Sequence, residues 1–217
     1  DILATERGDD PYNHSYLNWA NEVYKPTYIT QHTLNLTGGS EVGRYLVSFD
    51  YLDQPGLVKN TEYQRYSYRV NTDLNIGKML KVSSDVTYRH VDRLWPESLG
   101  SVQYDVWSMQ PTSPVRYENG DYRLDKQNRN AISLMDLDVV GEDRYNMDVV
   151  YGQVKADFEP IKDLVFTGMA SLNGSWDRRK IHYKNYKYYN EAGELVTQRN
   201  NPNSVKDERN NSYQMTL

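Results

Sequence analysis

Strict alternation of apolar and polar residues recurs along this chain, and it indicates β-strands with one apolar face and one polar face. The clearest case is the segment 64–76. One of its faces carries Tyr66, Tyr68, Val70, Leu74 and Ile76. The other carries Arg65, Ser67, Arg69, Asn71, Asp73 and Asn75. The pattern predicts a continuous strand through this segment.

Six further segments fit a strand. They are 31–37, 44–52, 80–91, 146–158, 164–172 and 212–217. In 146–158 the apolar parity changes near Val149 and Val150, as a β-bulge would cause. No segment keeps an apolar spacing of 3.6 residues, so helix is expected to be minor, with a short helical turn over 101–109 as its best candidate.

The connections between these strands alternate in length. The short ones are 37–43, 76–78 and 159–163, and the long ones are 53–63, 92–145 and 177–211. Bacterial outer-membrane barrels have short periplasmic turns and long extracellular loops. About 9 to 11 tilted residues cross a bilayer, and several of these strands are at least that long. The chain is therefore expected to be all-β, with antiparallel up-and-down strands that form part of a large transmembrane β-barrel.

Seven strands are too few for a transporter-sized barrel, and lipid does not tolerate unpaired strand edges. Residues 1–217 are therefore expected to be a partial barrel. The plug and the closing strands would be absent, and native neighbours would cover both edges.

Composition narrows the set of partners. The chain has 20 Tyr against 3 Phe and 4 Trp, and phenol rings suit membrane interfaces and sugar-binding surfaces. A net charge of -5 with mixed signs gives no basic stripe, which argues against a nucleic-acid partner. Cysteine is absent, which excludes disulfides and thiolate metal sites. The chain contains no apolar run of about 18 residues, so no transmembrane helix is predicted. Residues 1–30 show no signal-peptide pattern.

Residues 32–89 resemble the SusC/RagA family of TonB-linked outer-membrane proteins. The resemblance is carried by the glycine pair Gly38 and Gly39, by YLDQPGLVKNTEYQRYSYRVN and by KMLKVSSDVTY. It extends less sharply to NWANEVYK at 18–25, to QPTSPVRYENGDY at 110–122 and to DFEPIKDLVFTGMASLNGSWD at 157–177. All of these stretches correspond to barrel and none to plug.

The resemblance implies a TonB-dependent importer in the outer membrane of a Gram-negative, Bacteroidota-like cell. Large transporters of this type have 22 strands and a plugged lumen. The implied partners are a SusD-like surface lipoprotein that captures the ligand, the TonB complex reached through an N-terminal region absent here, and outer-membrane lipid. The implied ligand is an oligosaccharide, an oligopeptide or another oligomeric nutrient, and no cofactor is expected.

No catalytic motif is present, so no enzyme activity is expected. The four histidines, His14, His32, His90 and His182, are widely separated and are expected to be structural or solvated. Acidic residues cluster at Asp136, Asp138, Glu142 and Asp143, where a cation site or a glycosidase pair is conceivable. Charges in a long outer loop are mostly solvated, and that is the expectation for these four.

Aromatic side chains in the long connections are the candidates for ligand contact. They are Trp95, Tyr104, Trp107, Tyr117, Tyr183 and Tyr186, with Tyr188 and Tyr189 in the same run as the last two. The run from 183 to 189 could instead join an interfacial girdle or pack on the lipoprotein. The polar side chains expected to face the lumen and bond the plug are Arg65, Arg69, Asp73, Lys81, Asp85 and Arg89.

Two other classes of function remain open from sequence. A soluble carbohydrate-binding β module shares the aromatic signal but predicts short strands and a closed domain. A glycosidase domain predicts two carboxyl groups at a fixed separation in a cleft.

Overall fold

The computed structural model describes residues 2–7, 10, 12–199 and 203–217, which form one large antiparallel sheet and a layer of connections. The strands of the sheet are β1 (Thr30–Gly39), β2 (Gly43–Asp53), β3 (Glu62–Ile76), β4 (Leu80–Pro96), β5 (Gly141–Ile161), β6 (Leu164–Tyr183) and β9 (Ser204–Thr216). Their spatial order is β1-β2-β3-β4-β5-β6-β9. A separate hairpin, β7 (Lys187–Tyr189) with β8 (Leu195–Gln198), lies within the connection from β6 to β9. The expected up-and-down, all-β fold is confirmed.

All seven predicted strands exist, but several extend further than the alternation indicates. β4 continues to Pro96, β5 begins at Gly141 and β6 continues to Tyr183. The long connections are therefore shorter than expected, at 54–61, 97–140 and 184–203. The missed stretches carry polar side chains on both faces, as in DRRK at 177–180, so alternation could not reveal them.

The bulge expected at Val149 and Val150 is wrong. Pairing of β5 with β6 runs unbroken from Gly141 to Phe158, and the register shifts only between Phe158 and Ile161, beside the turn. Val149 and Val150 simply lie on opposite faces, so Val149 is one of the apolar side chains on the polar face.

Cross-strand register makes one face of the sheet apolar in continuous rows. One row is Leu36, Val47, Val70, Val86, Gly152, Leu172 and Met215. Beside the short turns the row is Ile76, Leu80, Phe158 and Phe166. Ten residues separate Ile76 from Tyr66, which is about 25 Å across a sheet tilted by about 40° at about 3.3 Å per residue. That height matches the apolar band of an outer-membrane barrel, about 25 Å.

Aromatic rings mark the far end of this apolar band. The row through Tyr66 also contains Tyr51 and Trp176. The ring centroids of Tyr51 and Tyr66 are 4.9 Å apart, and Trp176 donates from Nε1 to the Tyr213 hydroxyl at 2.6 Å. Such rings are typical of a membrane–water interface.

The connections have a core of their own. The helices there are α2 (Trp19–Val23), α3 (Leu99–Ser108) and α4 (Leu137–Val140), with a 3-10 turn at Ser133–Met135, while α1 (Ile2–Arg7) precedes them. α3 confirms the helix expected over 101–109. One buried cluster contains Trp19, Val23, Val58, Val102, Val106, Met109, Ala131 and Met135, and a second contains Tyr122, Val139, Val140 and Tyr188. Within the described ranges, the main sheet adds Val91, Pro96 and Ile181 to the buried apolar side chains.

The apolar face of the sheet is therefore exposed, as a lipid-facing surface would be. The helices found in the described ranges are too short or too polar to span a bilayer.

Candidate functional site

The polar face of the sheet carries a network of ion pairs at the predicted positions. Arg65, Arg69, Asp73, Lys81, Asp85 and Arg89 all lie on it. Arg65 donates to Asp50 Oδ1 at 2.9 Å, and Asp50 also accepts from Gln31 at 2.7 Å and Thr33 at 2.9 Å. Arg65 is therefore held by an ion pair with the neighbouring strand β2.

A second part of the network lies nearer the short turns. Arg69 binds Asp85 Oδ2 at 2.5 Å, and Ser83 donates to Asp73 at 2.6 Å. Lys81 and Arg89 enter no salt bridge among the described residues. Arg89 lines a hollow of about 450 Å³ together with Asp50, Ser67 and Arg69. Its guanidinium is thus a cation available to another molecule or segment.

An aromatic and charged cluster follows on the same face, toward the long connections. Asp143, which is only 5% exposed, accepts from Arg179 Nε at 2.9 Å and from Arg179 Nη2 at 2.6 Å. Arg93 approaches the same carboxylate at 3.7 Å. Its guanidinium lies 3.8 Å from the ring centroid of Trp95 and 5.0 Å from that of Tyr145. We call these five residues the rim cluster.

The rim cluster brings Trp95 into a site that the sequence only partly revealed. Arg93 and Trp95 keep the parity of Arg89, so extending the alternation of β4 past residue 91 would have placed both on the polar face. Tyr145 and Arg179 were missed, and Asp143 was expected to be a solvated loop charge, because the long connections were expected to span 92–145 and 177–211. Pairing of β5 with β4 and β6 aligns them instead.

Trp95 also borders an apolar hollow beneath the connections. The hollow has a volume of about 420 Å³, and its lining includes Tyr24, Tyr63, Leu57 and Leu99. A flat ring beside a hollow of this size is suited to stacking on a sugar or on a peptide side chain. Trp95 is therefore the candidate contact residue that the geometry supports best.

The other predicted aromatic residues are dispersed. Tyr104 and Trp107 are exposed on α3, on the side away from its buried Val102 and Val106. Tyr117 contacts Arg123, and half-buried Tyr183 ends β6. Tyr186 packs edge-on against Tyr188 at 5.1 Å, and Tyr188 is buried with its hydroxyl 3.1 Å from that of Ser133. Tyr189 lies outside this core and is exposed.

The expectation that the four acidic residues are solvated is only half right. Asp138 is exposed, and Asp136 accepts the Tyr122 hydroxyl at 2.7 Å while capping α4. Glu142 and Asp143 belong to β5, and Asp143 is buried in the rim cluster. No metal-binding group of His, Cys, Asp or Glu occurs among the residues described.

Burial within the connections shifts the pKa of several side chains. Burial raises the pKa of Asp105 on α3, although attraction to Arg129 partly offsets it. Burial also raises the pKa of Tyr188. For Tyr122, burial and then the hydrogen bond to Asp136 raise the pKa. All three groups lie in the packed interior of the connections.

Comparison with known proteins finds relatives among outer-membrane receptors. TonB-dependent receptor P26 of Formosa agariphila is 30% identical over 115 residues, which cover 52% of this chain and 11% of that protein. TonB-dependent receptor P3 of the same organism is 32% identical over 92 residues, covering 40% of this chain and 9% of that protein. The chain thus spans about a tenth of the length of the curated relatives it matches. No family model matches.

Solved structures agree with the fold. The RagAB peptide importer in the 'closed-closed' state matches with a TM-score of 0.66 and 21% identity, over 82% of this chain and 21% of that chain. The 'open-open' state matches with a TM-score of 0.66 and 20% identity, over 94% of this chain and 23% of that chain. The open seven-stranded sheet therefore corresponds to part of a barrel wall. The chain is similar in sequence to TonB-dependent receptors and shares the fold of part of the RagAB barrel, which supports a SusC/RagA-type barrel segment of the outer membrane.

Proposed function

We propose that this chain forms part of the wall of a TonB-dependent importer that takes an oligomeric nutrient across the outer membrane without covalent chemistry. The observation that carries the proposal is the amphipathic sheet, whose main strands are 10 to 21 residues long and are joined by alternately short and long connections. Relatives named as TonB-dependent receptors and as a peptide importer support it. Strands of this length disfavour the soluble binding module, which predicts short ones.

The polar face would line the lumen of this importer. Arg65 pairs with Asp50 and Arg69 pairs with Asp85, which suits a wall that stays in place around a plug. Lys81 and Arg89 would then be available to hydrogen-bond carboxylates or carbonyl groups of the plug.

Cysteine labelling of the full-length protein in outer membranes tests which face meets lipid. A lipid-phase maleimide is expected to label Val70→Cys, because Val70 is on the apolar face in register with Val47 and Val86. Ser67→Cys is the matched control on the polar face, and it breaks no ion pair. Labelling of Ser67→Cys with protection of Val70→Cys would overturn the assignment of the lumen.

The rim cluster and the hollow beside Trp95 would contact the passing ligand. Paired guanidinium and carboxylate groups can exchange hydrogen bonds with sugar hydroxyls or peptide groups, while the ring of Trp95 stacks. The ligand class is an oligosaccharide or an oligopeptide.

Growth of the source bacterium tests the import function. Deleting the gene is expected to stop growth on one oligosaccharide or oligopeptide as sole carbon source, but not on its monomers. Restoring the gene with Trp95→Ala should leave growth on that oligomer slower than restoring it with Tyr28→Ala, which alters an exposed ring outside the hollow. Unchanged growth of the deletion strain on every oligomer would refute import.

The partner of this importer would be a SusD-like surface lipoprotein. Tyr104 and Trp107 present exposed rings on α3 and suit a protein contact. Affinity purification of the tagged full-length protein is expected to recover one lipoprotein, with less recovered from the Tyr104→Ala/Trp107→Ala variant.

Deleting the TonB complex should abolish growth on the oligomer as completely as deleting the importer gene.

A further inference from the structure

Four basic side chains lie on the apolar side of the sheet, directly beyond its aromatic row. They are Arg144 on β5, Arg178 and Lys180 on β6, and Arg209 on β9. Arg144 pairs in register with Lys180, and Arg178 pairs with Arg209. We call these four residues the outer basic patch.

The outer basic patch has more positive than negative charge. The acidic residue in these rows of β5, β6 and β9 is Asp207. Its carboxylate accepts two hydrogen bonds from Arg178, at 3.0 and 2.6 Å, and lies 3.6 Å from Arg209. Arg144 has only distant acidic partners, Asp92 and Glu142, both at 3.8 Å. Lys180 is exposed and has no salt bridge within the described part of the chain.

Charge is segregated across the sheet at this level. The matching rows on β2, β3 and β4 carry acids, namely Asp53, Glu62 and Asp92. The positive surplus is therefore confined to the β5, β6 and β9 side of the wall. If these residues were charged only to keep the strand ends solvated, the basic and acidic side chains would not be separated onto different strands.

The position of the outer basic patch relative to the apolar band points to its occupant. Trp176 and Tyr213 end the band, and the patch lies two to four residues further along the strands, about 7 to 13 Å at about 3.3 Å per residue. Aromatic belts lie at the level of lipid head groups, and basic clusters next to them attract anionic head groups.

We propose that the outer basic patch binds the phosphate-bearing head group of an outer-leaflet lipid. A lipid fits better than a free anion because the rows directly below the patch, with exposed Leu172, Tyr213 and Met215, offer an apolar surface to the acyl chains of the same molecule. The proposal rests on the face assignment made under the proposed function, and it is independent of which nutrient is imported.

Binding of lipid A to the full-length protein in detergent tests this site, with native mass spectrometry to titrate the bound fraction. The test variant is Lys180→Gln/Arg209→Gln, which leaves the Arg178–Asp207 pair intact. The control is Lys78→Gln/Lys162→Gln, which removes two exposed charges beside the short turns at the opposite end of the strands. At low salt the test variant is expected to bind lipid A about thirtyfold more weakly, from about 1 kcal/mol per basic residue, while the control binds as the parent does.

Three results would overturn the proposal. They are equal affinity of the test variant and the parent, equal binding of lipid A stripped of its phosphates, and complete displacement of lipid A by millimolar inorganic phosphate, which would indicate a free-anion site. The Val70→Cys labelling separates this failure from failure of the wall assignment. Expected labelling with unchanged lipid A binding would reject the outer basic patch alone.

Discussion

Replacing Asp143 by Asn is the sharpest perturbation that the wall offers. The side chain keeps its shape but loses the charge that binds Arg179 through two of its nitrogens and attracts Arg93. These three residues join β4, β5 and β6 at the ends nearest the long connections. We expect their loss to loosen these strand ends and to leave the apolar band intact.

The magnitude follows from burial. Removing one partner of a buried ion pair costs about 3 to 5 kcal/mol, because the remaining charge is left uncompensated. The Arg179 side chain is 43% exposed, so water takes over part of that role. We expect the free energy of local opening to fall by about 2 kcal/mol, which corresponds to about thirtyfold faster amide exchange.

Hydrogen exchange of the full-length protein, read on peptides covering 141–147 and 177–183, measures this change. Asp138→Asn is the matched control, since that carboxylate also binds a lysine, Lys184 at 2.9 Å, but is 94% exposed. A solvated pair is worth about 0 to 1 kcal/mol, so the control should exchange almost as the parent does. Equal exchange in Asp143→Asn and Asp138→Asn would refute a structural role for the rim cluster.

Two further substitutions test the connections and their junction with the sheet. Asp105→Asn should raise the thermal midpoint of the connections at pH 7, followed through the fluorescence of buried Trp19. The pKa of Asp105 is raised in the fold, so its ionised form destabilises the fold above that pKa; this penalty disappears as the pH falls below the ordinary value of 3.8. A gain at pH 7 that persisted unchanged at pH 3 would contradict this sign. Gly141→Ala should cost about 2 to 3 kcal/mol in a urea titration, because Gly141 has a φ of 90° and an added Cβ would collide with the His182 carbonyl oxygen. Gly152→Ala, where an added Cβ meets open space, is its control, and an equal loss in both variants would count against the explanation.

The sequence predicts the membrane-spanning part of the fold almost to the residue. The alternation in 64–76 gives β3, which spans Glu62–Ile76, because lipid on one side and polar groups on the other force a period of two. The same alternation places Arg69 and Asp85 on one face, where they pair. The polar half of the candidate site is therefore readable from sequence alone.

The remainder depends on contacts between distant parts of the chain. Nothing local indicates that Trp19 packs with Val102 and Met135, or that Tyr188 is buried while Tyr189 is exposed. The rim cluster likewise depends on the register of three strands, which sets Asp143 beside residues 36 and 50 positions away in the chain. A periodicity argument has no access to such pairs.

Beyond the apolar band lipid no longer covers one face, so the selection for alternation is lost. Ion pairs between neighbouring strands add to the backbone pairing there: Arg144 with Asp92, Arg179 with Asp143, and Arg178 with Asp207. The first and third are solvated and therefore weak, and salt screens them further. The buried carboxylate of Asp143 is then the strongest of these side-chain links between the strands. Arg93 and Arg179 both contact this carboxylate and belong to the same rim cluster as Trp95. A ligand that competes for either guanidinium would therefore also loosen the strands that carry the connections.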